Sequence, residues 1–351
     1  MRVMGVLSIR GADVSFVDEI EQAGGTFRDV DGGKPEDVLA ILRRSGVNAA
    51  RLRLWNDPPG GFCNLERTVA MGRRIKTRGF RFLLDFHYSD GWADPAKQYK
   101  PKAWERLSFG KLCEAVYWYT FDVLRELSRN GAAPDEVQVG NEITPGFLWD
   151  DGRVDGAFDT DEQWRKFAEL LGAGIRAVRD ALPSAQVMVH IDRGGDREGA
   201  CRFFERLGRF DVEYDVIGLS YYPWWHGTLN DLRATLEALA AGFGKPLVVV
   251  ETAYPWTLEA PPEHPLIVAE PSQLHAGYPA SVEGQRRFLL DLAAVVADTP
   301  RGLGTGFYYW EPCWIPVKRE WSVGHANNWT NLTLFDFSGR KLDSWAAFRD
   351  G

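Results

Sequence analysis

Eight short β-rich runs alternate with longer amphipathic stretches from one end of the chain to the other, and most of those runs are apolar on both faces. Strands of that kind, spaced by helices, lie parallel and are covered on the outside. No Gly/Ser/Pro linker or second repeat unit divides the 351 residues. Together these features predict an α/β fold, a closed (β/α)8 TIM barrel in a single domain spanning 1–351, in preference to an open doubly wound sheet.

The expected strands are 3–9 (VMGVLSI), 47–55 (VNAARLRLW), 80–87 (FRFLLDFH), 136–142 (EVQVGNE), 186–191 (QVMVHI), 215–222 (DVIGLSYY), 245–251 (KPLVVVE) and 304–310 (GTGFYYW). Helical patterns fill the intervals at 35–45, 65–78, 108–130, 162–182, 199–209, 228–243 and 282–297, several opened by Pro, Ser or Asp and closed by Gly or Asn. In 228–243, for example, Leu229, Leu232, Leu236 and Leu239 share one face, and Gly242 and Gly244 supply a C-terminal stop. The longest irregular stretch, 252–281, is rich in proline and follows the seventh strand. In a barrel that is the face where sites sit.

Composition narrows the function. The chain is 45% hydrophobic and 26% charged, with a net charge of -8 and no Lys/Arg block, so a nucleic-acid surface is not expected. No run of about 18 apolar residues suggests a membrane span. Cys63, Cys113, Cys201 and Cys313 lack paired spacing and read as free thiols. The N-terminus shows no signal-peptide pattern in the sequence as given. Aromatic content is the exception: 13%, with 14 Trp, whose flat faces suit stacking against sugars where they are exposed and core filling where they are not.

A barrel places its functional groups at the carboxyl ends of the strands. Those ends carry Arg51, Arg53, Trp55 and Asn56, then Asp85 with His87, Asn141 with Glu142, Asp192, Tyr221 with Tyr222, Glu251, and Trp310 with Glu311. A helix cap or rim salt bridge accounts for any one of them, but seven of eight strands end this way. Glu142 and Glu251 close the fourth and seventh strands, which face one another across the barrel, so both can reach a common point above its centre. Paired carboxylates in unlike surroundings serve glycoside hydrolysis, one protonated to donate to the leaving oxygen and one ionised to attack; the retaining geometry sets them about 5–5.5 Å apart.

The Asn-Glu on strand four and the Glu on strand seven resemble those of the retaining glycosidases of clan A. The blocks GADVSF, GVNAARLRLWNDP, LLDFHYSDGWADPAKQ with PKAW, VQVGNE, YYPWWHGTL, VVVETAYPW and YYWEPCWIP, spread over about residues 10–345, more closely resemble glycoside hydrolase family 53, the endo-β-1,4-galactanases. That resemblance implies Glu142 as acid/base, Glu251 as nucleophile, and Asn141 as a ligand of the sugar beside the cleaved bond. It places Arg51 against the nucleophile, His87 at the third strand, and Trp310 under the sugar. Asp85 and Trp224, within the matching blocks, are expected to bind substrate as well. Tyr222 is expected to donate to the nucleophile, with Tyr221 the alternative inward residue.

The sequence departs from the family after strand seven, where some bacterial members carry a calcium loop rich in Asp, Gly, His and Asn. The corresponding stretch here has no Asp, so no metal ligand is assigned and no cofactor is expected. The loop after strand eight looks short, leaving the number of sugar subsites open. Members are mostly exported, so the compartment is open between export and action inside the cell on imported oligosaccharides. GLGTGF (302–307) precedes a strand and so does not suit a phosphate loop, the acidic run 150–162 lacks EF-hand spacing, and NWT and NLT at 328 and 331 fit glycosylation sequons. The expected activity is retaining endo-hydrolysis of β-1,4-galactan by a monomer. A clan A enzyme on mannan or xylan, or a catalytically silent carbohydrate-binding barrel, are the alternatives.

Overall fold

The computed structural model describes residues 7–29 and 33–350. Eight parallel strands close into a barrel in chain order: β1 (Ile9–Asp13), β2 (Ala49–Leu54), β3 (Arg81–Phe86), β4 (Glu136–Val139), β5 (Gln186–Ile191), β6 (Val216–Ser220), β7 (Leu247–Thr252) and β8 (Gly304–Tyr309), with β1 pairing β8 through Ile9–Gly306 and Ala12–Tyr309. Helices α1 (Val17–Gln22), α2 (Val38–Arg44), α3 (Leu65–Thr77), α4 (Phe109–Arg129), α5 (Asp161–Ala181), α6 (Arg197–Leu207), α7 (Pro223–His226), α8 (Leu229–Phe243) and α9 (Val282–Ala297) surround it. Side-chain caps open most of the long ones. Asn64, Thr160, Asp196 and Ser281 each accept from a first-turn amide, and Thr228 with Asp231 forms a capping box on α8.

The first strand differs from the expectation at 3–9. Most of that run lies outside the described residues, and the strand that pairs is Ile9–Asp13, in register with β2 through Gly11–Ala49 and Asp13–Arg51. Arg10, Gly11 and Asp13 interrupt the apolar pattern for reasons the barrel supplies. A Cβ on Gly11 would lie 2.2 Å from the Tyr308 ring that fills the barrel, and Asp13 turns inward to pair with Arg51 at 2.8 Å. The one strand that showed no polar terminus in the sequence therefore has one.

Period-two alternation sorts the barrel interior into tiers. Ile9, Ala49, Leu83, Met188, Val216, Val248, Val250 and Tyr308 form the apolar tier. One step toward the carboxyl ends, Asp13, Arg51, Asp85, Gln138, His190 and Ser220 form a buried polar tier. Every other face of the strands packs against the helices in the main hydrophobic core, so the polar tier is held from below and from the sides.

The fourth strand ends at Val139, earlier than the expected 142. Gly140 (φ 87°) and Glu142 (φ 48°) both take left-handed backbone there, which breaks the ladder and swings the Asn141-Glu142 pair over the barrel mouth. Such a conformation is strained for a glutamate and is held by its surroundings. Gln98, 1% exposed, donates from Nε2 to the carbonyls of Asn141 (2.8 Å) and Glu142 (3.3 Å).

Candidate active site

Above the polar tier opens a cleft of about 740 Å³ lined by Arg51, His87, Asn141, Glu142, Tyr222, Glu251 and Trp310, among others. Arg51 is its organising cation. It is 1% exposed, and its guanidinium reaches Asp13 (2.8 Å) and Glu251 (2.9 Å) through Nη1 and Asp85 (2.8 Å) and Asn141 Oδ1 (2.9 Å) through Nη2. A buried guanidinium is tolerable only with such complete pairing, and its planar fork allows it to serve several carboxylates at once.

Glu251 completes its pairing with Tyr222, whose hydroxyl donates to Oε2 at 2.9 Å. The alternative, Tyr221, points away and donates to the Gly227 carbonyl at 2.8 Å. Burial pushes the Glu251 carboxyl up and Arg51 pulls it back, but Asp85 and Asp13 add to the rise against a weaker pull from the Tyr222 hydroxyl, leaving the group above the usual carboxylate range. Glu142 has no cation within pairing distance among the described residues. Burial, then the charge of Glu251 and that of Asp192, raise its carboxyl well above the usual range, and the Ser220 hydroxyl, donating to Oε1 at 2.6 Å, opposes them. Of the two carboxyls, Glu142 is raised the further, so Glu251 is the readier to ionise.

The remaining expected residues divide. His87 accepts at Nδ1 from Trp55 Nε1 (3.0 Å) and the Ala93 amide (3.1 Å), so its Nε2 proton points to Asp85 (3.1 Å). Asn141 donates to the Ala93 carbonyl at 2.8 Å, leaving its second N–H for a ligand. Trp310 stands at the cleft edge-on to Trp329, 4.6 Å between ring centroids.

Two expectations of substrate contact are corrected by the geometry. Asp85 is fully buried beneath Arg51 and does not line the cleft. Burial raises its carboxyl, but Arg51 and His87 reverse the effect and hold it below the usual range, so it acts by holding those two side chains. Trp224 is turned onto Tyr222 and Trp329, with centroids 5.3 and 6.0 Å away, and its neighbour Trp225, 56% exposed, lines the cleft instead. On a short helix, adjacent residues face about 100° apart, and which of two tryptophans faces in is not written in their order. Glu311 also leaves the site: it takes 2.6 Å contact with Arg53 Nη1, which stacks on Phe16 and Trp92, and so forms a rim ion pair.

Trp92, Trp225 and Trp329 line the cleft, and His190 and Ser220 lie buried beneath it, without standing out in the sequence. A histidine within the apolar run QVMVHI was the available signal, since a buried imidazole needs partners. The NLT sequon is also reassigned: Asn331 is fully buried and donates to the carbonyls of Thr257 (2.7 Å) and Val268 (2.8 Å), tying the loop after β7 to the loop after β8.

A TIM barrel with two carboxyls in unlike surroundings at the mouth, one paired with a buried arginine and the other with a serine hydroxyl, defines a glycoside hydrolase. The sequence model for glycosyl hydrolase family 53 matches residues 9–348, and the chain belongs to that family. It is 60% identical over 344 residues to an uncharacterized protein in the bgaB 5' region of Niallia circulans (98% of this chain, 94% of that protein). It is 37% identical to the endo-beta-1,4-galactanase of Bacillus subtilis strain 168 (97% of this chain, 85% of that one). Among solved structures it resembles the Ignisphaera aggregans GH53 catalytic domain, with TM-score 0.92, 40% identity, and coverage of 99% of this chain and 97% of that one. Fungal beta-1,4-galactanases superpose with TM-score 0.85 at 32% identity, covering 98% of this chain and 99% of theirs.

Proposed function

We propose that the chain is a retaining endo-β-1,4-galactanase acting on galactan of the type I arabinogalactan kind. The observation that carries the mechanism is the unlike pairing of its two cleft glutamates: Glu251 with Arg51 at 2.9 Å, and Glu142 with a serine hydroxyl and, among the described residues, no cation. Glu142 protonates the glycosidic oxygen as that bond breaks, and Glu251 attacks the anomeric carbon to form a glycosyl ester. Water, deprotonated by the Glu142 carboxylate, then releases the sugar with its configuration retained. Arg51 and Tyr222 hold the attacking oxygens ionised and oriented, His87 and Asn141 shape the floor, and Trp310 and Trp225 offer aromatic faces to the sugars. The galactan substrate rests on family membership and the names of the relatives.

The test is reducing-end release from linear β-1,4-galactan, xylan and mannan in parallel. Release from galactan alone is expected, and release from xylan or mannan with none from galactan would overturn the substrate. Glu251→Gln is expected to abolish turnover. Glu142→Gln is expected to lose galactan hydrolysis yet still cleave an aryl β-galactobioside whose phenol departs without a proton, and full galactan activity in that variant would refute the acid role.

A further inference from the structure

Behind Glu142, hydrogen bonds run through the barrel in a single direction. Arg51 donates from Nε and Nη2 to Gln138 Oε1, both at 3.3 Å. Gln138 Nε2 lies 2.9 Å from His190 Nδ1, His190 Nε2 lies 2.8 Å from Ser220 Oγ, and Ser220 Oγ lies 2.6 Å from Glu142 Oε1. Gln138, His190 and Ser220 are all fully buried, so water does not offer alternative partners. Arg51 can only donate, which fixes the Gln138 oxygen toward it and leaves the two N–H groups of Nε2 for Asp85 Oδ1 at 2.6 Å and His190 Nδ1. His190 Nδ1 also faces the Glu142 amide at 3.4 Å and Asn141 Oδ1 at 3.1 Å, and since that oxygen already accepts from Arg51, the two N–H donors set His190 as an acceptor at Nδ1 with its proton on Nε2, which turns the single Ser220 proton toward Glu142.

We propose that Ser220, with its hydroxyl locked by His190, is a positioning residue for the acid: it occupies Glu142 Oε1 as a permanent donor, so that the transferable proton resides on Oε2 and the carboxylate left behind is stabilised. Among the described residues nothing donates to Oε2, and Glu142 lines the cleft. The chain also explains why a histidine is tolerated in the barrel: burial and the nearby Arg51 keep it neutral, as a one-donor, one-acceptor link requires. Since the same Arg51 pairs Glu251, the two carboxyls are ordered from one cation by different routes. No proton passes along the chain. It leaves Oε2 for the glycosidic oxygen and returns from the attacking water, while the Ser220 proton stays on Ser220.

This deepens the acid role given to Glu142 above and rests on it. The charged groups facing Glu142 are Glu251 from β7, Asp192 from the end of β5 and Asp94 from the loop after β3, all of which raise it, with the Tyr222 hydroxyl from the end of β6; those around His190 are Arg51, Asp85 and His87. The test is the pH profile of kcat/KM for Ser220→Ala on galactan and on an aryl β-galactobioside with an acidic phenol. Loss of one donor to a charged oxygen is expected to lower galactan turnover about 10- to 100-fold, spare the activated substrate, and move the basic limb upward by about one pH unit. His190→Gln, which can still accept from Gln138 and donate to Ser220, is expected to keep the wild-type limb, whereas His190→Leu is expected to move it as Ser220→Ala does. An unmoved limb with equal loss on both substrates would make Ser220 a packing residue and overturn the proposal. If Ser220→Ala fails to fold, the Gln and Leu variants at 190 decide alone, and identical profiles for the two overturn it. Glu142→Gln assayed in parallel separates this result from failure of the acid assignment itself.

Discussion

Arg51 Nη1 lies 2.9 Å from Glu251 Oε1 and 2.8 Å from Asp13 Oδ2, so the cation that neutralises the proposed nucleophile is shared with a carboxylate on the opposite side of the β1–β8 seam. Lysine offers a point charge where this site uses a planar fork. Arg51→Lys is therefore expected to lower kcat on the order of 10²- to 10³-fold, as removal of preorganised electrostatic contacts does elsewhere. Its weaker hold on Glu251 should also move the acidic limb of the kcat/KM profile upward. A limb that stays in place while kcat falls would separate Arg51 from the ionisation of Glu251.

The raised carboxyl of Glu142 has a stability consequence whose sign is fixed. The folded chain keeps a proton on Glu142 at pH values where the unfolded chain has released it, so the folded state binds more protons and stability falls as pH rises from the ordinary carboxylate range through the raised value. Glu142→Gln removes that dependence. Thermal unfolding should show the variant more stable than wild type by about 2–4 °C at pH 8, with the difference vanishing near pH 4. An equal gain at both pH values would attribute the effect to packing.

Neighbouring tryptophans should fail in different ways. Trp225, 56% exposed in the cleft, is expected on truncation to alanine to raise KM for galactan about 3- to 10-fold while leaving kcat and thermal stability near wild type. Trp224, packed on Tyr222 and Trp329, is expected to lose roughly 2 kcal/mol of stability in urea titrations. The reverse pattern would exchange their roles.

Gln98 holds a strained backbone in place through the carbonyls of Asn141 and Glu142. Gln98→Ala leaves both without that donor, and Glu142 is free to relax from φ 48°. Turnover is expected to fall about 10-fold with KM little changed, because the acid is misplaced while the sugar contacts remain. Steady-state kinetics on galactan distinguish this from a binding defect.

The sequence made the two carboxylates legible because each ends a strongly apolar run, where a charged group has no structural reason to be. Arg51 and the Tyr221-Tyr222 pair also stood at strand ends, but it was the resemblance to the family that set Arg51 against the nucleophile, and the choice of Tyr222 over Tyr221 came only with the hydroxyl contact to Glu251. Asp13 was not, since Gly11 and Arg10 break the alternation that marks a strand, and only the Tyr308 ring inside the barrel explains the glycine. His190 and Ser220 sit in runs that read as ordinary core, and their meaning depends on Gln138 and Glu142 three-dimensionally beside them. The choice between Trp224 and Trp225 turned on the rotation of a four-residue helix, Pro223–His226, which carries no periodic signal of its own.

Asn331 fastens the segment after β7 to the segment after β8 by donating to Thr257 and Val268, while the Trp256 amide donates back to the Asn331 carbonyl at 3.0 Å and the Ile267 amide to the Asn328 carbonyl at 3.0 Å. Ile267, Asn328 and Trp329 from these two segments border the cleft. For anyone building chimeras with related enzymes, the two segments are a single cassette: exchanged together they carry their own scaffolding, and exchanged singly they leave a buried amide facing carbonyls that are no longer there.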